Sequence, residues 1–297
     1  MVEVKYMGRL GNNLFQYCFG RIIAEGLGYK LKADPIPGFP NTEKQINGED
    51  YSQGYPIQVI AHDCPPHYYR GDYSKVLSWK NKNLNLKSII DNKSKRKIVL
   101  EGYFQRYEYY KSYKDVIRKN WLLMDMNTKD RIDSDDVVVC IRRGDYVKGG
   151  SALPFSYYEE ALTDVHHRRI FICTDSPHGP FIYLFKKRYN ATVHFADTLD
   201  KFKFISSFKT IIISNSTYYW WASFLSNATK ICAPIPLAGN WSSLSSPEID
   251  LRIDDEKRYV VIQCKEIYKK SKMEKLIGLK RKIYSKIKRE VKRIIKI

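Results

Sequence analysis

The chain has 297 residues, of which 43% are hydrophobic, 28% charged and 14% aromatic. That mixture allows about two domains and a sizeable core, and it excludes a disordered or fibrous chain. The net charge of +19 is unevenly placed: Lys265 to Ile297 holds 14 basic residues and 3 Glu, a net of +11. The remaining body is only mildly basic, which suits a small anionic ligand as well as a nucleic acid.

No run of about 18 apolar residues occurs, so no helix is expected to span a membrane. The opening residues, MVEVKYMGRLGNN, carry charge where a secretory leader needs an apolar stretch. Six cysteines (18, 64, 140, 173, 232 and 264) include no CxxC pair. They read as reduced thiols of a cytoplasmic protein, not as a zinc ribbon or a thioredoxin-type site.

In chain order, residues 2–7 predict a short strand, Gly8 to Asn12 a glycine turn, and residues 13–27 a helix with Leu14, Tyr17, Cys18, Ile22 and Glu25 at helical spacing. Residues 34–75, rich in Pro, Gly, Asp and Tyr, predict loops with short pieces of structure. Residues 97–105 predict a second strand and 107–122 a helix. The polar stretch 125–136 is the expected linker, which divides the chain into an N-terminal unit (1–125), a C-terminal unit (137–262) and a basic tail (265–297). VVVCI at 137–141 is continuously apolar, as in a strand buried on both faces. Then come a helix (157–164), a strand (169–173), a helix (180–189), a strand (192–195), a helix (199–207), a strand (210–214), a helix (218–225) and a strand (229–233). Such alternation predicts a parallel sheet. Open parallel sheets bind ligands beyond the C-terminal ends of their strands, where three polar clusters fall: 142–146, 174–178 and 214–217.

Arg142-Arg143-Gly144-Asp145 follows the buried strand directly. Two guanidiniums there fit a phosphate, which Arg binds bidentately, with Asp145 holding one of them. A purely structural Arg–Asp pair is the competing reading. Ser214-Asn215-Ser216-Thr217 opens a helix and reads either as an ordinary cap or as an anion site built on free N–H groups. Tyr218 to Phe224 read as core. Thr174-Asp175-Ser176 could meet a base or ribose, or simply turn the chain. The GxGxxG and GxxxxGK[ST] patterns are both absent, which leaves a nicotinamide or flavin cofactor and a P-loop without support. No metal-ligand spacing occurs, and no metal or other cofactor is expected. In the tail, Leu276, Leu279, Ile283, Ile287, Val291 and Ile294 form one face with Lys and Arg opposite. That is a basic amphipathic helix suited to an anionic lipid surface, or a solvated helix packed on the body.

The pieces occur in an order that resembles the bacterial and animal α-1,2-fucosyltransferase family: MGRLGNNLFQY (7–17), LEGYFQRYEYY (100–110), VCIRRGDYV (139–147), Leu153-Pro154 with Tyr157-Tyr158 and Ala161, FICTDS (171–176), ISNSTYYWWASFL (213–225) and Pro236 to Trp241. The resemblance implies an α/β, GT-B-like fold in which two Rossmann-type domains face a cleft. It implies metal-independent, inverting transfer of L-fucose from GDP-fucose to a sugar hydroxyl, usually O2 of galactose. The partners it implies are a GDP-sugar donor and a glycan acceptor of surface polysaccharide or lipid-linked oligosaccharide synthesis. By motif, Arg142 would hold the β-phosphate, Arg143 and Asp145 would shape that loop, and Asn215, Ser216 and Thr217 would take the phosphates. Asp175 would lie near the guanosine, and Gly11 and Asn12 would face the donor. Arg142 and Asp145 are the expected catalytic pair, with Glu101 and Asp175 as further candidates for the base. Cys140 stands where the family has His, so one polar contact near the nucleotide is expected to be lost; Asn13 for the usual Gln is milder. Transfer of another sugar or use of another nucleotide stays open. So does nucleic-acid binding on a degenerate transferase fold, although nucleic acid is not the expected partner. Activity at the inner face of a membrane is expected, through residues 265–297.

Overall fold

A computed structural model describes residues 1–60, 85–92, 95–125, 127–128, 130–237 and 249–295. Cys64, Trp241 and the end of the Pro236–Trp241 motif lie outside the described residues. The N-terminal lobe runs β1 (Val2–Val4), α1 (Leu10–Leu27), β2 (Leu31–Lys32), β3 (Ile57–Ile60), α2 (Leu86–Asp91) and β4 (Ile98–Glu101). Its strands form one sheet in the order β2-β1-β4-β3, with every neighbouring pair parallel. Helix α1 buries Leu14, Phe15, Cys18, Phe19, Ile22 and Ile23.

The predicted 107–122 helix is broken. Two 3-10 turns (Tyr107–Tyr109 and Lys111–Tyr113) lead into a single α turn, α3 (Lys114–Val116), and then a π turn (Ile117–Trp121). Anchoring of the aromatic side chains explains the irregularity. The Tyr110 hydroxyl donates to the carbonyls of Phe104 (2.7 Å) and Phe15 (3.2 Å), while Tyr107 donates to Asp255 of the other lobe (2.8 Å). The backbone follows these anchors and not one helical axis.

The C-terminal lobe runs β5 (Val137–Ile141), α4 (Gly144–Lys148), α5 (Phe155–Thr163), β6 (Ile170–Thr174), α6 (Pro180–Tyr189), β7 (Thr192–Val193), α7 (Thr198–Ser206), β8 (Thr210–Ile212), α8 (Thr217–Phe224), β9 (Lys230–Ile235), β10 (Tyr259–Gln263) and α9 (Lys272–Ile295). All five residues of β5 are buried, as its unbroken apolar run requires. The sheet order is β10-β9-β8-β5-β6-β7, with all pairs parallel. This is the doubly wound order, and its direction reverses between β5 and β8. The C-terminal ends of those two strands form the switch point, where such sheets open a crevice for ligands. β10 escapes sequence reading because it is a half-exposed edge strand with little alternation.

One apolar cluster runs through both lobes. At its centre Phe15 of α1 meets Trp220 and Trp221 of α8, with ring centroids 4.9 and 4.7 Å away. The aromatic helix is therefore core, packed where the lobes meet. It brings the start of α8 to the start of α1.

Candidate active site

A cavity of about 820 Å³ lies between the lobes, within the range of small-ligand sites. Its walls come from the chain around Gly8 to Asn12, Tyr103 and Gln105 after β4, Arg142 after β5 with Asp145 and Tyr146 of α4, the end of β6 (Thr174, Asp175), Thr198 and Lys201 of α7, the start of α8 (Ser216 to Tyr219) and Ile249.

The glycine turn is shorter than its sequence suggests. Only Gly8 is in the left-handed region (φ 79°), and α1 already begins at Leu10, so Gly11 and Asn12 lie in its first turn. A Cβ on Gly11 would sit 2.5 Å from the Tyr218 nitrogen and 2.6 Å from Thr217 Oγ1. The missing side chain therefore lets the N-termini of α1 and α8 touch. Thr217 Oγ1 donates to Asn12 Oδ1 (2.9 Å) and closes the joint. Gln16 supports it from below: its side chain accepts from the Met7 N–H (3.1 Å) and donates to the Gly102 carbonyl (2.7 Å). Neither helix start is capped by its own side chain, and neither first turn holds an acidic residue. Two positive dipole ends with spare N–H donors thus open on one cavity.

Arg142 is held by two carboxylates. Its guanidinium contacts Asp145 Oδ1 at 2.7 Å and Asp175 Oδ2 at 3.1 Å, and its buried Nε has no hydrogen-bond partner among the described residues. Asp175 also accepts from the Arg143 backbone N–H (2.8 Å). Gly144 permits this approach, since a Cβ there would lie 2.5 Å from Asp175 Oδ2. The Tyr146 hydroxyl donates to the Asn215 carbonyl (3.1 Å) and ties the β5 loop to the β8 loop. Two cations that sequence reading missed line the same cavity: Arg9, the residue before α1, and Lys201 of α7, whose Nζ donates to the Thr174 carbonyl (3.4 Å). Lys201 carries no local motif; only the packing of α7 brings it there. Three cations and two helix starts against two carboxylates make the cavity a site for an anion.

Of the residues expected to bind the donor, Gly11, Asn12, Arg142, Asp175, Ser216 and Thr217 line this cavity, as does Asp145. Arg143 and Asn215 do not, and each is a correction. The Arg143 side chain turns away from the cavity and is buried. Its guanidinium lies between the rings of Phe181 and Tyr268 (4.0 and 3.9 Å) and beside Glu274 (3.5 Å). Flanking apolar rings and a buried carboxylate were available on that side of the loop, so the second arginine serves the scaffold. Asn215 is fully buried, and its amide donates to the Ser151 carbonyl (2.9 Å). Glu101, a candidate base, is paired with Lys5 (2.8 Å) and does not line the cavity. Cys140 is buried inside the sheet opposite Cys173 and does not line the cavity. Burial pushes its thiol well above the ordinary range, so it stays neutral and acts as a core residue. Cys18, Cys140, Cys173, Cys232 and Cys264 are free. Among the described residues no group of three or more His, Cys, Asp or Glu could hold a metal ion.

Two parallel α/β sheets with an anion-attracting crevice at the switch point define a GT-B-like transferase. The comparison with known families narrows this. The model of glycosyl transferase family 11, the α-1,2-fucosyltransferase family, matches residues 92–238 of the chain. The matched span holds β4 to β9 and the Arg142, Asp175 and Ser216 loops, but not Gly11 or α9. No curated protein matches the chain.

Proposed function

We propose that the chain is an inverting fucosyltransferase that takes L-fucose from GDP-fucose and transfers it to O2 of a galactose. The acceptor is a glycan of surface polysaccharide or lipid-linked oligosaccharide synthesis. The observation that carries this is the convergence of Arg142, Lys201 and two uncapped helix starts on one cavity in a chain that the family model matches.

The diphosphate lies against the N–H groups of Thr217 and Tyr218 and the start of α1, with Arg142 on its β-phosphate. As the bond from fucose C1 to the β-phosphate oxygen breaks, negative charge grows on the departing GDP. Donors already held in place by Asp145 and Asp175 stabilise that charge without reorganising. The acceptor hydroxyl attacks C1 from the opposite face, which inverts the centre. Its proton passes to Asp145, whose side chain is 61% exposed in contrast to the 21% of Asp175. The oxocarbenium character of such transition states makes only modest demands on the base.

Calorimetric titration of GDP, UDP and CMP against the wild type and Arg142→Ala tests the reading. Preferential GDP binding that is lost in the variant supports it. Equal affinity for all three, or none for GDP, overturns it. Removal of one such donor also lowers turnover by about 10²–10³-fold.

A further inference from the structure

Helix α9 is joined to the body in an unusual way. A reciprocal capping box starts it: the Glu274 N–H donates to Ser271 Oγ (3.1 Å), and the Glu274 carboxylate accepts from the Ser271 N–H (3.0 Å). The same carboxylate accepts from the Tyr268 hydroxyl (2.7 Å) and faces Arg143. Burial, then the Glu274 carboxylate, push the Tyr268 phenol up to about 12, so it stays a donor. Farther along, Gly278 approaches Pro180, and Arg281 lies over the Tyr183 ring (5.8 Å). Residues 274, 278 and 281 share one helical face, so the helix leans on α6 through its polar and glycine side.

At about 100° per residue, Leu276, Leu279, Ile283, Ile287 and Val291 fall on the opposite face. They are 46%, 55%, 51%, 56% and 46% exposed. A helix on a globular protein normally buries its apolar stripe and shows only its charges to water; here every residue from Leu279 to Val291 is exposed, so the stripe stands in water beside the charges over about 22 Å, from Leu276 to Val291. Lys275, Lys282 and Lys286 run along one edge of the stripe, and Lys280 lies toward the other. From Lys272 to Ile295 there are ten Lys/Arg and two Glu, a net of +8. A groove of about 450 Å³ beside the helix adds Lys270 to Lys275 and Lys282, with Leu279 and Val147 in its wall.

We propose that α9 lies in the plane of an anionic phospholipid bilayer, with its stripe in the acyl boundary and its flanking cations on the lipid phosphates. Charge selects this occupant. A second copy of the chain would set +8 against +8, and a nucleic acid would satisfy the cations while leaving the stripe in water. No described helix is long and apolar enough to cross the membrane. An in-plane helix of large amphipathicity and low net hydrophobicity fits instead, and each basic residue near such a surface strengthens binding. The inference does not rest on the fucosyltransferase reading, because vesicle binding and GDP binding are measured separately.

The test is co-sedimentation of the full chain with phosphatidylcholine vesicles, with and without phosphatidylserine. The variants are Ile283→Glu/Ile287→Glu, which breaks the stripe, and Lys282→Glu/Lys286→Glu, which reverses charge on its edge. All four positions are exposed, so the thermal midpoint should stay that of the wild type. The expected result is binding only to the serine-lipid vesicles, weakened by salt and lowered at least about tenfold in each variant. Equal binding to neutral vesicles, or unchanged binding in the variants, overturns the proposal. It is also overturned if vesicle binding is absent and light scattering shows that the stripe variant splits a dimer, or if the tail retains only DNA.

Discussion

Gly11→Ala perturbs the point where the two lobes meet. The new Cβ would stand 2.5 Å from the Tyr218 nitrogen and 2.6 Å from the Thr217 carbonyl carbon. Both are backbone atoms, so no side chain can swing aside. Ordinary contact begins at 3.4 Å, and the helix starts must separate by roughly 1 Å to restore it, an overpacking that costs about 1–3 kcal/mol. The same shift breaks the Thr217–Asn12 hydrogen bond and splays the N–H groups aimed at the cavity. A misplacement of about 1 Å in the groups that position a substrate lowers kcat/KM by about 100-fold. Urea unfolding reads the first effect; GDP titration and turnover read the second. Gly278→Ala is the control. Its Cβ would lie an ordinary 3.9 Å from Pro180, and Ala for Gly inside a helix should stabilise by up to about 1 kcal/mol. A Gly11→Ala protein with wild-type stability, GDP affinity and turnover would refute the convergence of the two helix starts as the basis of the site.

Three further outcomes are expected. Lys201→Ala should leave the fold intact and lower turnover by about 10²–10³-fold, measured as kcat, since one donor to the leaving group is removed; an unchanged kcat would remove Lys201 from the machinery. Glu274→Ala strands Arg143 in a buried position, and breaking a buried pair costs about 3–5 kcal/mol. The low end is expected, because the guanidinium keeps the rings of Phe181 and Tyr268; the urea midpoint measures it. Acid should loosen the contact between Asp255 and the 107–122 segment. Burial raises the Asp255 carboxyl, but hydrogen bonds from Lys114 and Tyr107 outweigh this and hold it below its ordinary 3.8. The unfolded chain then binds more protons than the folded one, so this stabilisation is complete above the ordinary value and is lost as pH falls through the lowered one. Unfolding profiles from about pH 5 to pH 2 should be flatter in Asp255→Asn than in the wild type.

Much of this organisation is written locally. The apolar run 137–141 and the alternating segments after it read as a parallel sheet because strands buried on both faces must be continuously apolar. Helix α6 occupies the residues its pattern indicates, 180–189. The Arg142, Asp175 and Ser216 clusters were visible because each follows a strand whose end is a ligand position. The order of the six strands, which places two of those ends side by side, is not a local property.

Where reading failed, the cause was long-range. The 107–122 segment has helical propensity, yet Tyr107 and Tyr110 are anchored to atoms distant in sequence, and those bonds outweigh the local preference. Adjacent arginines look alike in sequence. Arg142 enters the cavity and Arg143 enters the rings around Glu274, because successive residues leaving a strand point to opposite sides. Lys201 carries no motif, and the contact that gives Gly11 its role lies on α8, more than 200 residues away. Composition and periodicity settle which segments are strands, helices and charged surface, because those depend on neighbours along the chain. Tertiary packing alone decides which charges share a cavity and that the apolar stripe of α9 is left uncovered, because those depend on neighbours in space.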